Sequence, residues 1–161
     1  MSDKSYTQPA KAFLESFQTS AAPVTDVSRR CSSTDTPNLK TFLVEDSPVI
    51  RSNLIAALED LAPVEVVGFS DNADEACARI DELGAGGCDL AIVDIFLTRG
   101  TGLDVLKCMA AAAAPVRRVV LTNYATPEIR AECLALGASR VFDKSRDIEA
   151  LVNYCNEIAG A

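Results

Sequence analysis

Three acids in this sequence stand where apolar runs stop. The stretch TFLVEDSP leads through Val44 into Glu45 and Asp46, and DLAIVDIFLTRGTG leads through Val93 into Asp94. Two other polar groups follow similar runs, Thr122 after RRVVL and Lys144 after RVFD. Carboxylates gathered in one place repel one another: at ~4 Å and an effective dielectric near 20, a like-charge pair costs about 4 kcal/mol. A whole domain's net stability is only roughly 5–15 kcal/mol, so such a cluster calls for a cation. The donors are carboxylate oxygens and the chain has no histidine, which selects a hard ion such as Mg2+ that retains several waters. With a lysine and a hydroxyl beside it, the set suits phosphoryl transfer. An aspartate can act there as nucleophile and become an aspartyl phosphate, while the metal, the ammonium and the hydroxyl stabilise the transferring oxygens.

These residues act together only if the fold gathers them. Apolar runs at 41–45, 64–69, 90–94, 117–121 and 140–142 are nearly continuous and rich in Val, Ile, Leu and Phe, as in strands buried on both faces of a parallel sheet. Helical segments with start signals lie between them. Ser47-Pro48 and Thr126-Pro127 each set a capping residue before a first-turn proline. Asn72 and Glu75 have capping-box spacing, and Gly137 is a helix stop. The last segment, 147–158, places Ile148, Leu151, Val152, Cys155 and Ile158 on one face. Alternating strands and helices imply a doubly wound α/β sheet. Right-handed crossovers then bring all strand C-termini to one edge, where ligands of such sheets bind. The acids therefore cap strands at a crevice mouth and need not be buried in the core.

FLVEDSPVIRSNL, DLAIVDIFLTRGTGLDVL, VVLTNYAT and VFDKS, taken in order, resemble the signature blocks of a response-regulator receiver domain, over residues 39 to about 158. The resemblance implies a five-stranded flavodoxin-like sheet in the order 2-1-3-4-5. It implies Asp94 as the phosphoacceptor and Glu45, Asp46, Asp94 and the Phe96 carbonyl as the Mg2+ ligands. Thr122 would be the hydroxyl that contacts the phosphoryl group and Lys144 the lysine that pairs with it. Gly102 stands where the family has its loop glycine. The chain departs from the family at Thr98 and Ser145, usually prolines, at Val141, usually a switch aromatic, and at Asn123, usually a small residue.

The rest of the chain sets bounds. Residues 1–38 hold twelve Ser/Thr and three Pro without sustained periodicity, the composition of a flexible tail. Phe13, Leu14 and Phe17 there form at most a transient helical turn. The net charge of −8 falls entirely on residues 39–161, a surface that repels nucleic acid. No apolar run is long enough to span a membrane, and no secretory signal opens the chain. Six scattered cysteines without a C-x-x-C pair read as reduced thiols of a cytoplasmic protein.

The expectation is a stand-alone receiver, not an enzyme, phosphorylated by a sensor histidine kinase or a histidine phosphotransfer protein and acting on a downstream protein target. Three other readings compete. A phosphatase of the haloacid dehalogenase type needs a second aspartate where Phe96 stands, and a flavodoxin-like FMN carrier needs a neutral phosphate loop where VEDSP stands. A degenerate receiver would act as an interaction module independent of phosphorylation. Tyr124 reads either as a partner-facing aromatic or as a half-buried filler.

Overall fold

A computed structural model describes residues 37–112 and 115–160. Its elements are β1 (Leu39–Val44), α1 (Pro48–Leu61), β2 (Val64–Ser70), α2 (Ala73–Leu83), β3 (Leu90–Val93), α3 (Gly102–Ala111), β4 (Arg117–Thr122), α4 (Pro127–Ala135), β5 (Arg140–Asp143) and α5 (Ile148–Gly160). Each strand falls within two residues of its expected run. The sheet order is β2-β1-β3-β4-β5, every pairing parallel. The tail expected over residues 1–38, with its Phe13–Phe17 turn, lies outside the described residues except for 37 and 38.

Side chains alternate between two cores, as a period of two dictates. Leu43, Ile92 and Leu121 face α1 and α5, packing with Leu54, Leu58 and Leu151. Phe42, Val44, Ala91 and Val93 face α2 and α3, packing with Ala76, Ile80, Val105 and Met109. A third cluster sets Leu106 of α3 and Cys133 of α4 on Val120 and Val141. β2 departs from the fully buried expectation: Glu65 and Phe69 are exposed and Val66 to Gly68 only half-buried. It is an edge strand, paired with β1 alone, and its register slips where Thr41 gives way to Phe42.

Helix starts follow the capping chemistry. Ser47 Oγ accepts from Ile50 N at 3.4 Å and Thr126 Oγ1 from Ile129 N at 3.3 Å. Asn72 Oδ1 accepts from Glu75 N at 2.9 Å, but the reciprocal half of the expected box is replaced. Glu75 takes its bond from Asn72 Nδ2 at 3.3 Å, and the Asn72 backbone N donates to Ser70 Oγ. The reciprocal box occurs instead at Thr101 and Asp104, opening α3. As expected, α4 stops at Gly137, whose φ of 91° costs a residue without a Cβ little. Among the described residues, no helix is long and apolar enough to cross a membrane.

Candidate functional site

The sheet ladder continues past the strands and fixes the loops that carry the polar groups. Glu45 N donates to Ser70 O, Asp94 N to Val44 O and Lys144 N to Thr122 O, each at 3.0 Å. Gly102 closes the loop after β3, its N donating to Ile95 O at 2.9 Å. A Cβ at that position would lie 2.2 Å from the Asp94 carbonyl oxygen, so only glycine permits this approach.

One oxygen from each of Glu45, Asp46 and Asp94 lies within 4.8 Å of the others. Lys144 enters from the far side of the sheet order. Its Nζ lies 2.8 Å from Asp94 Oδ2 and hydrogen-bonds Glu45 Oε2 as well. Glu45, Asp94 and Lys144 are all buried, whereas Asp46 is only half-buried. Ser47 N donates to Glu45 Oε1 at 3.1 Å and Phe96 N to Asp94 Oδ1 at 3.3 Å. Thr122 is fully buried, and its Oγ1 accepts from Tyr124 N at 3.3 Å. The expected residues therefore meet at one edge, with Phe96 on the rim.

The charges do not balance: one ammonium pairs with two of the three carboxylates. Burial pushes the pKa of Asp94 up, and the attraction of Lys144 and bonds from Lys144 and Phe96 N only partly oppose it; Asp46 adds repulsion. Burial likewise pushes Glu45 up, opposed by Lys144 and reinforced by Asp94. Burial alone would push Lys144 down, but the attraction of Asp94 and Glu45 and their hydrogen bonds prevail and raise it. Carboxylate oxygens this close, with charge left over, form a donor set that fits a hard divalent cation.

Three contacts lay beyond the sequence reading, and Tyr124, singled out there, shows its surroundings. Thr98 Oγ1, on the exposed loop after Asp94, donates to Asp46 Oδ2 at 2.8 Å. Asp143, buried beside Lys144, accepts from Ser145 N at 2.8 Å and from the Ser145 hydroxyl. Arg130 spans from α4 to β5, donating to Val141 O at 2.7 Å and Ala125 O at 3.0 Å, with Asp147 at 3.8 Å. Tyr124 proves exposed, its ring set edge-on against that of Phe96 at 5.1 Å.

A parallel α/β sheet with an acidic crevice at its C-terminal edge defines a class, and comparison with known proteins gives the family. The profile of the response regulator receiver domain matches residues 41–156, and the chain belongs to that family. The DNA-binding transcriptional activator DevR/DosR of Mycobacterium tuberculosis is 31% identical over 101 residues, 63% of this chain and 45% of that protein. The response regulator UvrY of Escherichia coli is 23% identical over 120 residues, 74% of this chain and 54% of that one. The chain spans about half the length of the curated relatives it matches. In structure, the response regulator domain of Thermotoga maritima CheB aligns with a TM-score of 0.68 at 21% identity, covering 77% of this chain and 98% of that one. CheY of Borrelia burgdorferi, solved as a CheX-CheY-BeF3-Mg+2 complex, aligns with a TM-score of 0.67 at 15% identity, covering 74% and 88%.

Proposed function

We propose that this chain works as a cytoplasmic receiver that takes a phosphoryl group from a partner's phosphohistidine onto Asp94. The donor is a sensor histidine kinase or a histidine phosphotransfer protein, and the phosphorylated form signals by contact with another protein or by passing the group onward. The observation that carries this reading is Lys144 held 2.8 Å from Asp94 Oδ2 within a cluster of three carboxylates. An oxygen of Asp94 attacks phosphorus as the P–N bond breaks, and the imidazole leaves with the bonding electrons. Mg2+ held by Glu45, Asp46, Asp94 and the Phe96 carbonyl would offset charge on the phosphoryl oxygens. Lys144 moves its pairing from the carboxylate to the phosphoryl group. The Thr122 hydroxyl accepts from Tyr124 N and keeps its own proton to donate to a phosphoryl oxygen.

The test uses acetyl phosphate as a small donor, with and without Mg2+. One phosphoryl group per chain is expected, lost on treatment with hydroxylamine and never gained in the presence of a chelator. An unlabelled protein at saturating Mg2+ would leave only the phosphorylation-independent interaction module.

Thr98 should matter to the cation. Its hydroxyl fixes one oxygen of the least buried carboxylate, and groups that orient metal ligands change affinity about 10- to 100-fold when removed. Thr98→Val, which keeps the shape and loses the donor, should weaken Mg2+ binding by about tenfold, and Thr98→Ser should restore it. Tyrosine fluorescence during a Mg2+ titration reads this directly. Equal affinities for the valine and serine variants would remove Thr98 from the site.

A further inference from the structure

Five cysteines lie among the described residues, and they differ in access. Cys88, Cys133 and Cys155 are buried, while Cys77 and Cys108 are half-exposed. Both of these line one cleft. Cys77 sits in the second turn of α2 and Cys108 in the last turn of α3, and the two helices lie side by side over the same sheet face, sharing Ala73, Ala76, Ile80, Val105 and Met109 in one core. On α2, Asp74, Cys77, Ala78 and Asp81 follow the i, i+3, i+4, i+7 spacing of one stripe, and on α3 Asp104, Cys108 and Ala111 follow i, i+4, i+7. Between the stripes is a cleft of about 410 Å³, lined by Cys77, Ala78 and Asp81 from one side and Cys108, Ala111 and Ala112 from the other. That volume lies within the usual range for small-molecule pockets.

We propose that Cys77 and Cys108 are a disulfide-forming pair, oxidised by exchange with a low-molecular-weight disulfide such as glutathione disulfide and stapling α2 to α3. The step balances as two exchanges. One thiolate of the pair attacks the small disulfide, forms a mixed disulfide and expels one small thiolate, which takes up the proton that cysteine gave up. The sulfur of the other cysteine then attacks the first and expels the second small thiolate, which takes the remaining proton. Two protein thiols are oxidised to one S–S bond, and one small disulfide is reduced to two thiols.

Burial first, then the neighbouring Cys108, Asp74 and Asp104, push the Cys77 thiol up to about 12. The thiolate is the attacking form, so exchange at this site speeds up as pH rises. The staple would also reach the loop after Asp94. Ala73 N, at the start of α2, donates to Arg99 O at 3.1 Å, and a Cβ on Gly100 would stand 2.5 Å from that of Ala73. Fixing α2 against α3 thus restrains the segment that carries Thr98.

The test is independent of phosphorylation. The full chain is equilibrated in glutathione redox buffers, free thiols are alkylated, and the digest is run unreduced on a mass spectrometer. The expected result is a Cys77–Cys108 linked peptide that disappears with dithiothreitol, together with a rise in the midpoint of thermal unfolding on oxidation. Cys77→Ser and Cys108→Ser should each lose both the peptide and the rise, and Cys77→Ala serves if a serine variant does not fold. Stable glutathionylation at either position without the linked peptide would overturn the proposal. So would a link from Cys108 to Cys31.

Discussion

Asp94→Asn is expected to abolish phosphoryl labelling and, in the same preparation, to raise the thermal midpoint of the metal-free protein. The first effect follows from chemistry: an amide has no carboxylate oxygen to attack phosphorus. The second follows from the crowding of charge. Asp94 is buried beside Glu45 and Asp46, and its pKa lies above the ordinary aspartate value because desolvation outweighs the pull of Lys144. A carboxyl whose folded pKa is raised contributes stability that is complete below its unfolded pKa and is lost as pH rises through the folded one. Asparagine never ionises, so the variant escapes that loss, while Lys144 keeps Glu45 as its partner. The advantage should therefore grow as pH rises through the carboxylate range. Labelling by acetyl phosphate and melting curves with a chelator at several pH values check both effects. Equal labelling of the variant would move the acceptor elsewhere, and a lowered midpoint would mean the Lys144 pairing outweighs the desolvation.

Much of this arrangement was legible because parallel sheets leave simple marks. Runs such as LAIV have no polar position to place on a solvent face, so β3 and its neighbours read as buried strands. Ser47-Pro48 and Thr126-Pro127 state where helices begin. Once the strands are parallel, their polar C-terminal residues must share an edge, and Glu45, Asp94 and Lys144 meet although 99 residues separate the first from the last. What the sequence withheld depends on side-chain reach across loops. Nothing in the spacing of Thr98 and Asp46 announces their hydrogen bond, nor does Arg130 announce its grip on Val141 O and Ala125 O. The β2 edge also reads wrongly, since an apolar run does not tell how many neighbours the strand will have. The Thr101–Asp104 box could have been found, because its spacing is that of the box sought at Asn72.

The Arg130 contacts bear on how such a site is read out. Where the family commonly has a swinging aromatic on β5, this chain has Val141, buried and stiff at χ1. Arg130 supplies another link, because it holds the carbonyl of Ala125, three residues past Thr122, to that of Val141. A shift of Thr122 would reach Tyr124 through the hydrogen bond to its N, and this guanidinium through Ala125. The exposed Tyr124, resting on Phe96, lies on the same loop at the mouth of the crevice. The bistable element that a signal needs is thus best sought in residues 123–130 rather than in the side chain at 141.

Lys144→Met should strongly destabilise the fold in metal-free solution. Methionine matches the lysine stem in length and apolar character, so packing is largely kept and the charge alone is removed. Glu45 and Asp94, both buried, then lose the ammonium that pairs with both. Breaking a buried ion pair from one side costs about 3–5 kcal/mol, far above the ~0–1 kcal/mol of a surface pair. The pH profile identifies the cause. Lys144 has a pKa raised above its ordinary value by Asp94 and Glu45 against the opposing effect of burial. Its stabilisation is therefore complete below the unfolded lysine pKa and is lost as pH rises through the folded one. Wild type should show that alkaline loss, and Lys144→Met should not. A divalent cation distinguishes charge from packing: a ligand at a hundred times its Kd adds about 2.7 kcal/mol, so Mg2+ should recover a large part of the deficit. Urea unfolding with chelator and with Mg2+ measures each quantity. A deficit under about 1 kcal/mol, the range of exposed pairs, would show that the bridge contributes little, and a larger one untouched by Mg2+ would place the loss in packing.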